Sequence, residues 1–385
     1  MTSPASSSPS SLPSVVDVLA GQIVALYTQA EQQLMADIAK AARGGVIAPA
    51  FSAERLAMQA QMLRAAERVA TMLRLRSYPL AMQVAQEAAV HGEQAATVML
   101  RRLVQSDPLL RRVFLDRARG HAVSSANQIG YDLAIRLDQT VPRVLRFADD
   151  AYRAAVQEAA TRQVLAIDTP STAQSFAWRK LTERGVTGLT DVSGRNWNLS
   201  TYAEMATRTA VQRAYNASHL DRMATVGIEY FTVSHDGHPC PLCLPWEGEI
   251  LSTGSVGEVS TLAADRDEQV TFTVKATVDD AIAAGFQHPN CRHVLLPYLP
   301  GVTKTTTGQA WTDADQRRYD DTQRLREMER NVRAAKRETA AALTPLERQR
   351  AEAKVRAWQA RIRQHVEASG LVRKPRRERL DLGNH

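Results

Sequence analysis

Cysteine is scarce in this chain, with 3 in 385 residues. An odd number cannot pair off completely, and the Ser/Pro-rich start, Met1 to Pro13, lacks the basic stretch and apolar core of a secretory signal. Both features argue against a disulfide framework. Aromatic residues make up only 5% of a chain that is 44% hydrophobic, and with alanine abundant this is the composition of long helices. No stretch approaches the about 18 consecutive apolar residues that a membrane-spanning helix needs. Neither an H-E-x-x-H zinc-protease helix nor a G-x-S-x-G nucleophile elbow occurs. What remains is a mainly helical chain with a net charge of +7, which suits a polyanionic neighbour without distinguishing DNA from an acidic protein surface.

All three cysteines fall in one stretch. It opens with His235-Asp236-Gly237-His238-Pro239-Cys240-Pro241-Leu242-Cys243 and closes with His288-Pro289-Asn290-Cys291-Arg292-His293. A C-x2-C knuckle puts two thiolates on one tight turn, and a distant H-x2-C-x-H completes a tetrahedral shell of sulfur and imidazole nitrogen, the donors zinc favours. Five donors, Cys240, Cys243, His288, Cys291 and His293, compete for four positions. A redox pair or simply buried thiols are the competing readings; no βαβ pattern surrounds the pair, and the third cysteine sits beside two histidines. Four protein ligands close the coordination sphere and leave no place for a reactive water, so the expected zinc is structural, a staple for a loop-rich region. Asp236 and Glu247 are close enough in sequence to act as a general base, but acids beside a knuckle are expected to be solvated.

The pattern along the chain predicts an α+β protein. Residues 1–13 read as a disordered leader. Residues 14–169 form a long helical arm or bundle, with Val16, Leu19, Ile23, Leu26, Leu34 and Ile38 on one helix face and Gly44-Gly45 ending it. A second helix is expected over Ala53 to Arg76, with Met62, Ala66, Val69 and Leu73 on its stripe. Separate pieces follow over Leu80 to Gln105, Pro108 to Gly120, and Ala122 to Val164, the last interrupted near Pro142.

Residues 170–300 form a compact α+β domain carrying the metal site. A short helix, Ala173 to Arg184, leads to a hairpin turn at Ser193-Gly194. Thr201-Tyr202-Ala203-Glu204 reads as a capping box opening the next helix, on which Arg208 suits a phosphate or a partner carboxylate but is expected to be solvated or locally paired. Ile228 to Ser234 is a strand delivering the chain to the knuckle; Glu249 to Leu251 and Val270 to Val274 are further short strands, Trp246-Glu247-Gly248 a packed turn, and Thr277 to Ala284 a helix ended by Gly285. Residues 301–370 are long charged helices, Thr312 to Leu343 and Pro345 to Ser369, the second opened by Thr344 and Glu347 and closed by Gly370. Residues 371–385 are a basic tail in which Arg373, Lys374, Arg376 and Arg377 suit DNA phosphates, with no interleaved aromatics for base stacking.

An ordered set of motifs carries a resemblance. These are Asp191-x-x-Gly194-Arg195-x-Trp197; Tyr202-x-Glu204-Met205-x-x-Arg208-Thr209; Cys240-Pro241-Leu242-Cys243-x-Pro245-Trp246-x-Gly248; and His288-Pro289-Asn290-Cys291-Arg292-His293 with Pro297-Tyr298. Together, over about Gly185 to Pro300, they resemble the phage minor capsid protein 2 family, related to the Mu F-like head morphogenesis proteins. The resemblance implies a low-copy virion component, present in the host cytoplasm during assembly, that associates with the portal and other head proteins and assists head assembly, DNA packaging or DNA delivery. It also implies that position 293 belongs to the metal shell, because relatives often carry cysteine there; His288 and His293 still compete for the fourth place. The alternatives are a zinc-dependent nuclease using His235 or His238, a capsid maturation enzyme, and a cellular DNA-binding zinc module. The missing protease and hydrolase motifs weigh against an enzyme.

Overall fold

A computed structural model describes residues 12–45, 53–106, 123–164, 189–190, 196–235, 240–288, 291, 293–305, 311–342 and 344–380. In chain order its elements are α1 (Leu12–Gly45), α2 (Ala53–Ser106), α3 (Val123–Asp138), α4 (Val141–Val164), β1 (Leu189–Thr190), β2 (Asn196–Trp197), α5 (Leu199–Ala224), β3 (Tyr230–Val233), β4 (Ile250–Ser252), β5 (Gly257–Leu262), β6 (Gln269–Val274), β7 (Ala276–Thr277), α6 (Val278–Ala283), β8 (Leu295–Pro297), α7 (Asp313–Ala341) and α8 (Pro345–Ser369). The architecture is α+β and predominantly helical, as the composition implies. The chain divides into two compact units, each assembled from three separated segments: Met1–Ala20, Ala81–Leu133 and Thr207–Tyr319 in one; Gly21–Leu80, Ala134–Ala206 and Asp320–His385 in the other. The expected helix Pro108 to Gly120, the helix Ala173 to Arg184 and most of the leader lie outside the described residues.

The helical stripes read from the sequence are buried. Val16, Leu19, Ile23, Leu26, Leu34 and Ile38 of α1, and Met62, Ala66, Val69 and Leu73 of α2, all lie in the core. One boundary differs from the sequence reading, because α2 runs unbroken through Pro79 instead of dividing after Arg76. Proline removes one helical hydrogen bond, but Leu73, Ala81 and Val84 on either side are fully buried, and that burial outweighs the missing bond. Just before the proline, Ser77 shares a 2.9 Å hydrogen bond with the buried hydroxyl of Tyr27, which also donates to the Leu137 carbonyl at 3.3 Å. That one phenol ties α1, α2 and α3 together.

Helix α5 starts earlier than the expected capping box. The side chain of Asn198 accepts from the Thr201 backbone N–H at 2.9 Å, so Asn198 caps the helix and Thr201 lies within its first turn. The Ser193-Gly194 turn itself is not among the described residues, but β1 and β2 on either side of it pair antiparallel, Leu189 opposite Trp197. Near the middle of α5, a Cβ added to Gly92 of α2 would sit 2.1 Å from the Tyr215 carbonyl oxygen. Only glycine permits that close approach of the two helices.

The strands that position the metal loops form a four-stranded sheet in the order β7-β4-β3-β8. Its centre, β3, pairs antiparallel with β4 (Phe231 opposite Leu251) and with β8 (Val233 opposite Leu295). A separate antiparallel hairpin, β5-β6, was only half legible: β6 matches the expected strand, while β5 alternates polar residues between half-buried and exposed positions and carries little apolar signal. The core beside the sheet draws Ala96 and Leu100 from α2, Met223 from α5, Phe231 from β3, and also Cys243 and Cys291.

Helices α7 and α8 pack along a seam of Leu325, Val332 and Ile362, flanked by Met328, Val355 and Trp358. Thr344 and Glu347 make the expected capping box, and Gly370 closes α8 in the left-handed conformation at φ 69°. These helices are less exposed than their charge suggests, for Glu329, Arg337 and Glu338 are buried. Lys354 reaches Glu338 at 2.7 Å, and burial pushes the pKa of Arg333 down although its guanidinium donates to the Arg377 carbonyl at 2.6 Å. No helix among the described residues is long and apolar enough to cross a membrane.

Candidate metal centre

Sheet topology explains why two loops far apart in sequence meet. Strand β3 ends at Val233 and β8 begins at Leu295, and because the two are antiparallel neighbours these ends lie side by side. A pair of bonds seals the junction: Ser234 N–H donates to the Val294 carbonyl, and Val294 N–H donates to Ser234 Oγ, both at 2.9 Å. The knuckle loop therefore leaves the sheet where the His288–His293 loop enters it. On the first loop, the Cys240 carbonyl accepts from the N–H groups of Cys243 and Leu244 at 3.1 and 3.0 Å, which turns the chain and brings both sulfurs to one side. Leu244–Trp246 continues as a 3-10 turn, held by Lys275, which donates to the Pro245 carbonyl and lies over the Trp246 ring. On the second loop, Gly285 (φ 103°) and Gln287 (φ 55°) reverse the chain after α6, and Cys291 N–H closes on the His288 carbonyl at 2.9 Å.

The five expected donors fall into two overlapping groups of three. Cys240, Cys243 and His288 form one group and Cys243, Cys291 and His293 a second, with the donor atoms of each within 4.8 Å of one another. Cys243, fully buried, belongs to both. Sulfur to sulfur, Cys243 and Cys291 are 3.6 Å apart, and Cys291 Sγ lies 3.4 Å from His293 Nδ1. A tetrahedral zinc with ordinary bond lengths separates its sulfurs by about 3.8 Å and a sulfur from a nitrogen by about 3.6 Å, so these edges fit. Cys240 Sγ and His288 Nε2 are in closer contact, 2.8 Å apart.

Two of the three thiols are held toward thiolate. A hydrogen bond from Cys243 holds Cys240 down to about 4 against the opposing effect of burial, with His288 assisting. The same donor holds Cys291 down to about 4, with His293 assisting. Cys243 is itself pushed up, first by its hydrogen bonds to Cys240 and Cys291 and then by burial. The three sulfurs are thus linked, with thiolate favoured at Cys240 and Cys291 and the proton at Cys243. A divalent cation would neutralise that charge and displace the proton, so the donor set fits a thiolate-bound metal.

One participant has a role that the sequence reading did not foresee. Glu247, expected to be solvated, is 4% exposed. The chain around it is fixed on the sheet: Gly248 N–H donates to the Val233 carbonyl, and Val233 N–H to the Glu249 carbonyl. Its carboxylate takes His293 Nε2 at 2.6 Å on one oxygen and His235 Nδ1 at 3.2 Å on the other. Burial would lower the pKa of His293, but its bonds to Cys291 and Glu247 prevail and raise it to about 9. Nothing in the local sequence marks Glu247 for this role; only the bridge between Val233 and Glu247 brings it there. Asp236 and His238 lie outside the described residues.

Two other sites read from the sequence lie elsewhere. Arg208 is half-buried and paired with Asp17 at 2.5 Å, a partner 191 residues away. In the basic tail, Arg373 forks onto the buried carboxylate of Glu378 at 2.5 and 2.7 Å, and Arg376 and Arg377 lie on the short 3-10 turn Pro375–Glu378.

No solved structure and no curated protein matches the chain. A family model does, over residues 12–367, a span that takes in the helices as well as the Cys/His loops. The chain belongs to the phage minor capsid protein 2 family, and its role is therefore structural, in a phage head.

Proposed function

We propose that this chain is a portal-associated minor head protein, akin to the Mu F-like head morphogenesis proteins, that assists head assembly, DNA packaging or DNA delivery and carries a structural zinc. The observation that carries the reading is the family match, which extends over residues 12–367. The ligands are Cys240, Cys243 and Cys291 with His288 or His293. A structural role is supported by the supply of five sulfur and imidazole donors and by two of the three thiols being buried. Lys374, Arg376 and Arg377, with Arg373 braced by Glu378, supply charge for DNA phosphates.

Co-expression of the full chain with the portal and major head proteins of its own phage, followed by gradient sedimentation, tests the assignment. The chain is expected to travel with portal and assembled heads. Sedimentation as a free protein, with heads forming normally in its absence, would contradict the reading.

A further inference from the structure

We propose that Glu247 is a positioning residue that selects His293 over His288 as the fourth metal ligand, an inference that rests on the metal-centre reading above. The argument begins with imidazole, whose neutral form has one N–H and one lone pair. A carboxylate 2.6 Å from His293 Nε2 holds the N–H on that nitrogen, so the proton that a metal displaces is the one on Nδ1, whose lone pair then becomes the ligand. That nitrogen lies 3.4 Å from Cys291 Sγ, within a group that also includes Cys243. Carboxylate partners of ligating histidines set the tautomer and ring orientation in this way. Glu247 is well placed to do so because it is buried, sits on backbone bonded to β3, and has its second oxygen held by His235.

His288 lacks the corresponding geometry. Its Nε2 lies 2.8 Å from Cys240 Sγ, closer than two ligands of one tetrahedral ion stand, and it groups with Cys240 and Cys243, apart from Cys291 and His293. His235, on the half-exposed side of Glu247, steadies the carboxylate.

The test is a competition titration of the metal-free full chain with zinc against a chromophoric chelator, and the absorption spectrum of the cobalt(II) form. Wild type is expected to bind zinc with a three-sulfur, one-nitrogen cobalt spectrum. Glu247→Gln should weaken zinc by about 10- to 100-fold, and His288→Ala should keep the wild-type spectrum. In a His293→Cys background the fourth ligand is a thiolate with no tautomer to fix, so Glu247→Gln should change affinity little. A Glu247→Gln loss of the same size in both backgrounds would make Glu247 merely structural and overturn the inference. So would unchanged affinity in Glu247→Gln, or loss of the nitrogen ligand in His288→Ala. Absence of zinc and cobalt binding by wild type would instead remove the metal centre itself.

Discussion

At the scale of single residues, folding holds two of the three sulfurs, those of Cys240 and Cys291, toward thiolate. Cys240 and Cys291 shift from 9.0 to about 4 on folding. Groups with a depressed folded pKa contribute stability that is fully present above 9 and is lost as pH falls through about 4. His293 has the opposite sign: raised from 6.5 to about 9, its contribution is complete below 6.5 and lost as pH rises through about 9. The metal-free chain should therefore gain stability between pH 5 and 6.5 and gain less per pH unit above it. Urea midpoints across that range check this, and a midpoint falling from pH 5 to 6.5 would contradict it. That these cysteines and histidines would gather was legible in the sequence, because metal chemistry restricts which residue types and spacings serve. Glu247 was not, because its role depends on a backbone bridge to Val233 and not on its neighbours in the chain.

Among the elements, helices were read more accurately than their ends. The apolar stripes of α1 and α2 are periodic, and periodicity survives local exceptions. A proline such as Pro79 or a polar strand such as β5 is decided by what packs around it. Two substitutions separate these influences. Gly92→Ala forces a methyl group against the Tyr215 carbonyl and should destabilise by about 1–3 kcal/mol, or more if α2 and α5 cannot part; thermal melts giving an unchanged midpoint would refute the close crossing. Thr344→Ala removes the side-chain half of a capping box on an exposed helix start and should cost about 1 kcal/mol. Denaturant titration checks that value, and a neutral result would mean that Pro345 and Glu347 suffice to start α8.

For the whole molecule, the described residues are dominated by long helices with small sheets, and family membership makes other head proteins the expected partners. The net charge of +7 is a whole-chain property, and its use on DNA is an electrostatic claim with a salt signature. Binding of the full chain to duplex DNA should weaken steeply between about 50 and 200 mM salt, and the combined change of Lys374, Arg376 and Arg377 to Ala should flatten that dependence. Filter binding that is indifferent to both would assign the charge to another partner. The sequence also could not tell which segments would join in one compact unit, since residues 81–133 and 207–319 are brought together by packing over long separations.

The central claim is that the antiparallel ends of β3 and β8 bring two loops together around one metal ion. Its most direct test is elemental analysis of the purified full chain beside Cys243→Ser, which alters the buried donor common to both groups. One zinc per wild-type chain and none in the variant is the predicted result; zinc missing from wild type, or held equally by both, would contradict the account.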